Sequence, residues 1–519
     1  MSSDDRPVHA IGLQTYTLEE LGALVDTRAR LTLSEEVVRA IDAGAAFVAK
    51  KCAEERYIYG VNTGFGSLCE TRVAPDELEL LQYNHVVSHA CGVGDWVGEQ
   101  VSRLTALIKL LTLRSGHTGI GLGTVDALLA LLNRDLVPAV PKRGTVGASG
   151  DLAPLAHLAL PLLGLGHVHR DGRVVPGAEA LADAGLQPVR LGPKEGLALT
   201  NGVQYIDAIA TDCLLALRGL LGAADLVAAM SLQAFSASRT FYQPLYQRTS
   251  LHSDRLQVAH NLCRLVEGGN HWALPTANRS MQDPYSFRCL PQVHGAVRQA
   301  FHFAHDTIER EVNGVSDNPL FFPEQDQILF GGALHGESTA MAMDFLAIAT
   351  CELASISERR THQLLSGARG LPDFLVSRPG VNSGLMVAQY TSAALVNECK
   401  VLAAPASVDT IGTCQQQEDH VSMGGTSGYK LQRAIRNCRT VLAVELLTAA
   451  QAVDLAPGLE LSPALREVHD AFRAQVAFLD KDRVLSDDIE RAVRFVDAHA
   501  AGWTDRHELL PLVPVRERA

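Results

Sequence analysis

From Gly196 onwards, apolar residues recur at a spacing near 3.6 in long alanine- and leucine-rich segments with few β-branched runs. The pattern predicts long α-helices. Several are apolar on most faces, which places them at the centre of a large bundle or at a subunit interface. The most apolar run, Ala208 to Ala237, is interrupted by Asp212, Arg218 and Asp225. It lacks the roughly 18 uncharged residues of a membrane span and reads as a helix buried in a bundle.

Before Gly196 the pattern is mixed. Two helices are expected between Tyr16 and Lys51, opening at Thr17-Leu18-Glu19-Glu20 and at Thr32-Leu33-Ser34-Glu35-Glu36, both similar to capping boxes. Tyr57 to Gly66 is a short extended piece and a glycine-dense loop, suited to a surface turn or a lid. Leu78 to Ala90 is helical, and a second helix runs to about Ser115. His167 to Pro188 reads as a hairpin and loop with its turn at Arg170-Asp171-Gly172-Arg173. The expected architecture is mainly α: a smaller mixed N-terminal region, residues 1–195, fused without a clear linker to a large bundle of long central helices, residues 196–519.

Composition narrows the function. The 519 residues are 47% hydrophobic and 20% charged, ordinary for a globular chain, and the net charge of -13 with scattered Lys and Arg gives no footprint for nucleic acid. The ten cysteines, from Cys52 to Cys438, contain no CxxC pair or zinc-type spacing. Met1-Ser2-Ser3-Asp4-Asp5-Arg6 is acidic and polar, unlike a signal peptide. Reduced thiols and a cytoplasmic location are the expectation.

The chemistry concentrates in Gly144-Thr145-Val146-Gly147-Ala148-Ser149-Gly150-Asp151-Leu152-Ala153-Pro154-Leu155-Ala156-His157-Leu158, a glycine-rich loop running into an apolar helix. Gly150 has no Cβ, so its nitrogen is the one best able to turn back onto the Ala148 carbonyl. Ring closure there, losing the Ala148 carbonyl oxygen as one water, and loss of the Ser149 hydroxyl as a second leave an exocyclic methylidene on an imidazolone: an electrophile made from the chain itself. Asp151 stands at a natural N-cap position, and Pro154 is tolerated in a first helical turn.

Rival motifs fail on their own terms. Gly116-His117-Thr118-Gly119-Ile120-Gly121-Leu122-Gly123 follows a helix, and Thr124 breaks GxGxxG. His335-Gly336-Glu337 lacks the PCxxC of zinc deaminases. Asp151 stands where the last glycine of GxSxG belongs. No metal is expected.

The Ala148-Ser149-Gly150 stretch resembles the signature of the aromatic amino acid ammonia-lyases, and further motifs follow in family order from about Tyr16 to near the C-terminus. The resemblance implies that the triplet becomes 4-methylidene-imidazol-5-one (MIO), with no external cofactor. It further implies that Asn201, in Leu197-Ala198-Leu199-Thr200-Asn201-Gly202 at the opening of the first bundle helix, lies beside that ring. By local sequence alone, Asn201 reads as an N-cap. In Gln282-Asp283-Pro284-Tyr285-Ser286-Phe287-Arg288-Cys289, the resemblance casts Arg288 as the carboxylate clamp, a role its planar fork suits. Tyr285 and Gln282 share that pocket. Val315-Ser316-Asp317-Asn318-Pro319 is similar to the family's DNP turn, whose asparagine here is Asn318. Gln415-Gln416-Gln417-Glu418-Asp419-His420 holds a charged cluster that cannot all face one pocket if helical; the family match selects Glu418, a usable acid, base or imidazolium partner. Tyr59 is cast as the base on the lid.

Substrate choice in the family tracks two residues on the helix before the MIO loop, and this chain reads Ser88-His89, the pair that goes with histidine. His89 and Glu418 offer polar partners for an imidazole, whereas a phenyl ring leaves both unpaired at about 1–3 kcal/mol each. The implied reaction is L-histidine to trans-urocanate plus ammonia. Two positions depart from the histidine-acting members: Gly332-Ala333-Leu334-His335 has Leu334 where an aromatic ring is usual, and Gln416 replaces an asparagine. A MIO-dependent 2,3-aminomutase on histidine or a related amino acid is the alternative within the class, and a non-catalytic helical assembly protein the one outside it. The resemblance also implies a homotetramer with active sites shared between subunits, an amino acid as the small-molecule partner, and no nucleic acid or membrane.

Overall fold

The computed structural model describes residues 6–54, 57–274 and 281–509, and the N-terminal Met1 to Asp5 lies outside them. Two compact units emerge: one of Met1–Leu215, His305–Met343 and Pro405–Tyr429, the other of Ala216–Ala304, Asp344–Ala404 and Lys430–Ala519. The structure is mainly α, with long helices at Gln204–Ala234, Leu290–Asn313, Glu337–Leu364 and Gly424–Leu455. The first and third are long and apolar enough to cross a membrane, yet 83% and 72% of their most apolar windows are buried within the chain. That is how core helices of a large bundle look.

In the first unit, Thr17 closes a full capping box with Glu20 at the start of Leu18–Asp26. The second expected box is corrected. Arg30–Leu33 is a short strand paired in parallel with Val8–Ile11, so Thr32 is in the sheet. Ser34 caps Glu35–Ala53 instead, accepting from the Val37 N–H. Helices follow at Leu78–His89 and Glu99–Leu113. The hairpin of His167–Arg170 and Arg173–Pro176 turns through Asp171 and Gly172, both at positive φ as a two-residue turn of this hand requires.

Two further expectations are corrected around the glycine-rich loop. Asp151 precedes Leu152–Ala159 but makes no cap bond to that helix. Its buried carboxylate accepts from the Tyr205 and Ile206 N–H groups, satisfying orphan donors at the start of Gln204–Ala234. Asn201 opens no helix: it ends Glu195–Thr200 as its C-cap in extended geometry, and the long helix begins at Gln204.

The second unit is pinned by buried ionic groups as well as by packing. Arg298 and His294 both reach Asp225, all three fully buried, and the Glu445 carboxylate takes a bidentate pair of bonds from Arg360 plus one from the Ser231 hydroxyl. Removing one partner from such a group strands a buried charge, which makes each arrangement strongly self-selecting.

Candidate active site

The loop between Thr145 and Asp151 is held from both sides by main chain. The Met423 N–H donates to the Val146 carbonyl, the Gly202 N–H to the Ser149 carbonyl at 3.3 Å, and the Asp151 N–H to the Gly202 carbonyl at 2.7 Å. Ser149 and Gly150 both have positive φ, 51° and 79°. At Gly150 a Cβ would lie 2.1 Å from the Gly202 carbonyl oxygen, so no side chain fits there. A non-glycine residue held left-handed beside such a glycine marks backbone over-determined by its surroundings. These features fit an imidazolone built from Ala148, Ser149 and Gly150: the turn is tight, the third residue must be glycine, and the Ser149 hydroxyl is directed outward.

That hydroxyl donates to Glu418 Oε1 at 2.7 Å, and the Thr413 hydroxyl donates to Glu418 Oε2 at 3.0 Å. Ser149 and Glu418 also stand, with Tyr59 and Gly66, in the walls of two cavities of about 770 and 470 Å³. Ala148, Asn318 and Leu334 line the larger one, and Ser88 and His89 the smaller. Glu418 is half-buried rather than enclosed in an apolar core. The helical premise for its neighbours fails: 417–420 is not helical, and Gln417, Glu418, Asp419 and His420 all line the larger cavity. Gln416 is exposed with φ at 70°, and among the described residues Gln417, not Gln416, is the glutamine in the cavity wall.

Tyr59 is positioned by the loop that follows it. The Gly66 N–H donates to its hydroxyl oxygen at 3.2 Å, and the Ser67 N–H rests on Cys414 Sγ. Burial pushes the Tyr59 phenol up from its ordinary range, and the Gly66 N–H partly opposes this.

His89 Nδ1 lies 2.6 Å from the His85 carbonyl. A carbonyl only accepts, so Nδ1 carries the hydrogen and Nε2 is left as an acceptor. Burial lowers the pKa of His89, against the opposing effect of that same bond, and favours this neutral ring. His85, one turn earlier, packs tilted against His89, ring centroids 4.0 Å apart, and against Phe65 at 3.9 Å, with Nε2 on the Thr200 hydroxyl. Burial lowers its pKa well below the usual imidazole value. His85, Thr413 and Phe330, an aromatic lining the larger cavity four residues before Leu334, were not singled out by motif reading. The spacing of four between His85 and His89 on one helix face was the available signal for the first.

Asn201 is buried behind Asn318. Its Nδ2 donates to Asp317 Oδ1 at 3.0 Å and to the Asn318 carbonyl at 3.1 Å, while Asp317 Oδ2 takes a 2.6 Å bond from Lys194. Lys109, completely buried, donates to the Ala198 and Asn201 carbonyls, and burial brings its pKa down to about 7.

Gln282, Tyr285 and Arg288 belong to the second unit, and neither cavity includes them among the described residues. Arg288 bonds Gln282 Oε1, and its guanidinium sits 4.5 Å over the Tyr285 ring. Asp283 anchors the segment through Arg369 at 2.8 Å and the Ser238 N–H, and Arg360 reaches the Ser286 carbonyl. Tyr285 is 68% exposed.

The profile of the aromatic amino acid lyase family matches residues 16–474. The chain belongs to this family. Among curated relatives of this aromatic amino acid lyase, the histidine ammonia-lyase of Symbiobacterium thermophilum is 45% identical over 481 residues, 92% of this chain and 95% of that one. Among solved structures, the histidine ammonia-lyase of Trypanosoma cruzi superimposes with a TM-score of 0.90 at 35% identity, covering 98% of both chains. The tyrosine aminomutase of Streptomyces globisporus gives a TM-score of 0.89 at 34% identity, over 96% of this chain and 99% of that one.

Proposed function

We propose that this lyase eliminates ammonia from L-histidine to give trans-urocanate, using an MIO group formed from Ala148, Ser149 and Gly150. The observation that carries the reading is the shared wall: Ser149 and Glu418, bonded to each other, stand between a cavity holding His89 and one holding Asn318. MIO supplies an electrophilic carbon for the substrate amine. The rest is the work of side chains. Neutral His89 with Nε2 as acceptor and the Glu418 carboxylate hold the substrate ring as an imidazolium, whose two N–H groups supply a donor to each, with Ser88 beside them. A phenyl ring in their place leaves both acceptors unpaired. Tyr59 Oη takes a proton from the substrate Cβ, and the Gly66 N–H steadies the phenolate form. Asn201 and Asn318 serve the reacting end, and Leu334 fills the larger cavity with aliphatic bulk.

Arg288, with Gln282 and Tyr285, binds the substrate carboxylate from a neighbouring copy in a homotetramer. The exposure of Tyr285 and the anchoring of its segment by Asp283 and Arg369 support a surface built to meet another chain. No nucleic acid, membrane or metal takes part in this reading, and the enzyme works in the cytoplasm. His335, Glu337 and His420 do present ligand-type atoms within 4.8 Å of one another, but the elimination as drawn needs no ion there.

The likeness to a tyrosine aminomutase favours one second reading, a 2,3-aminomutase that re-adds ammonia at Cβ before release. One experiment tests both. Intact mass reports whether the chain is two water molecules lighter than its sequence, and incubation with L-histidine followed by chromatography separates urocanate from β-histidine. An undiminished mass removes the MIO reading; β-histidine as main product replaces lyase by mutase.

A further inference from the structure

The turn Gly147-Ala148-Ser149-Gly150 is closed by the Gly150 N–H on the Gly147 carbonyl at 3.3 Å, a long bond. Its two ends are wedged against other segments: a Cβ at Gly147 would lie 2.3 Å from the Ser422 hydroxyl oxygen, and one at Gly150 2.1 Å from the Gly202 carbonyl oxygen. One side chain spans the turn. The Thr145 hydroxyl accepts from the Gly147 N–H at 3.0 Å and donates to the Gly150 carbonyl at 3.1 Å. These roles are fixed, since an amide N–H only donates and a carbonyl only accepts. The Asp151 carboxylate lies close enough to compete for the same single hydrogen.

Ring formation makes a particular demand on this turn. The Gly150 nitrogen bonds to the Ala148 carbonyl carbon; the Ala148 oxygen leaves as water with the hydrogens of the Gly150 and Ser149 nitrogens, and a C=N bond joins Ala148 to Ser149. The Ser149 hydroxyl leaves as a second water with the Ser149 Cα hydrogen, making the methylidene. The N–H that closes the turn is therefore consumed. The Gly147 N–H and the Gly150 carbonyl are not: they flank the reacting atoms and take no part.

We propose that Thr145 is a positioning residue for the chain's own cyclisation, its hydroxyl clamping Gly147 to Gly150 so that the turn stays closed while the Gly150 N–H bond is lost. Holding the ends keeps the attacking nitrogen beside its carbonyl, which is where proximity gains its effect. A side chain of the same shape without the hydroxyl lets the turn open and strands both held groups. The inference rests on the MIO reading above and is independent of the substrate.

The test follows ring formation itself. The full chain is made by cell-free synthesis, translation is stopped, and the fraction two waters lighter is followed by intact mass. Thr145→Val, which keeps the shape, is expected to convert about ten- to a hundredfold more slowly than the parent, the worth of two hydrogen bonds, and Thr145→Ser, which keeps the hydroxyl, within about threefold of it. A sizing column reports folding, and Thr145→Ala carries the same expectation in less space where the valine variant does not fold. A clamp that served only stability would lower the unfolding midpoint and leave the conversion rate of folded chain unchanged. Conversion of folded Thr145→Val or Thr145→Ala at the parental rate, or Thr145→Ser as slow as either, overturns the clamp. A parent of undiminished mass overturns the MIO reading instead, and this inference with it.

Discussion

The Ser149 hydroxyl donates to Glu418 at 2.7 Å, and the other Glu418 oxygen is held by the Thr413 hydroxyl. In the unprocessed chain both carboxylate oxygens are thus held; the proposed ring formation expels the Ser149 hydroxyl, and the Thr413 hydroxyl is the contact that remains to orient Glu418 before substrate arrives. Ser149→Ala is expected to fold, to keep the mass of its sequence without losing two waters, and to be inactive. Glu418→Gln keeps the shape but replaces an acceptor by a donor at the imidazole. Its kcat/KM for histidine should fall by roughly ten- to a hundredfold, the worth of one charge-assisted hydrogen bond. Urocanate formation at the parental rate by either variant would remove Ser149 or Glu418 from the chemistry.

Tyr59 makes a pH prediction. Its phenol is pushed above the ordinary value by burial first, with the Gly66 N–H acting the other way. A base must be deprotonated to act, so below that pKa the active fraction grows about tenfold per pH unit. The kcat/KM profile is expected to rise into the alkaline range, and Tyr59→Phe should lose roughly 10²–10⁴ in rate along with that rising limb. A limb that persists in the phenylalanine variant assigns the proton to another group.

How far these roles were legible in sequence depends on how local their causes are. The capping box at Thr17 and Glu20 and the Asp171-Gly172 turn are decided by a few adjacent residues, and both read correctly. Gly150 was legible in part: its turn at positive φ is a local demand, whereas the clash that excludes a side chain comes from the Gly202 carbonyl, far along the chain. Asp151 was not: its carboxylate caps a helix that begins more than fifty residues later, a partnership only the tertiary fold creates. Asn201 misled as an N-cap because an asparagine before a helix is ordinary, while its actual bonds run to Asp317 and Asn318. The cluster at Glu418 was misjudged by a helical period applied where the chain turns through Cys414, Gln415 and Gln416 at positive φ. Its neighbours therefore share a cavity that a helix would have split.

His85 predicts how stability depends on pH. Its folded pKa is depressed well below 6.5 by burial, with His89 adding to the effect. Above about pH 6.5 both folded and unfolded imidazoles are neutral and the site costs nothing. As pH falls below that value the unfolded chain takes up a proton that the folded site refuses, and stability is lost at up to about 1.4 kcal/mol per pH unit until the folded pKa is reached. Denaturant unfolding of the parent and of His85→Gln at pH 8 and pH 5 isolates this contribution, because other histidines cancel in the difference. The gap between the two proteins should shrink on acidification. A constant gap means His85 does not titrate differently on unfolding.

The location of Arg288 gives the strictest test of a shared active site. Arg288 lines neither cavity among the described residues, whereas Tyr59 lines both. If one copy supplies Tyr59 and another supplies Arg288 to each site, two inactive parents must complement. Tyr59→Phe and Arg288→Ala chains are unfolded together, mixed in equal amounts and reassembled. Random assortment then gives both intact residues to about a quarter of the sites when they come from different chains, and to none when they come from one. Activity near a quarter of the parent's, appearing only after co-assembly and absent when separately assembled variants are simply combined, is the expected outcome. A mixture no more active than its two components places Tyr59 and Arg288 of the same chain in one site, and the intersubunit clamp is then wrong.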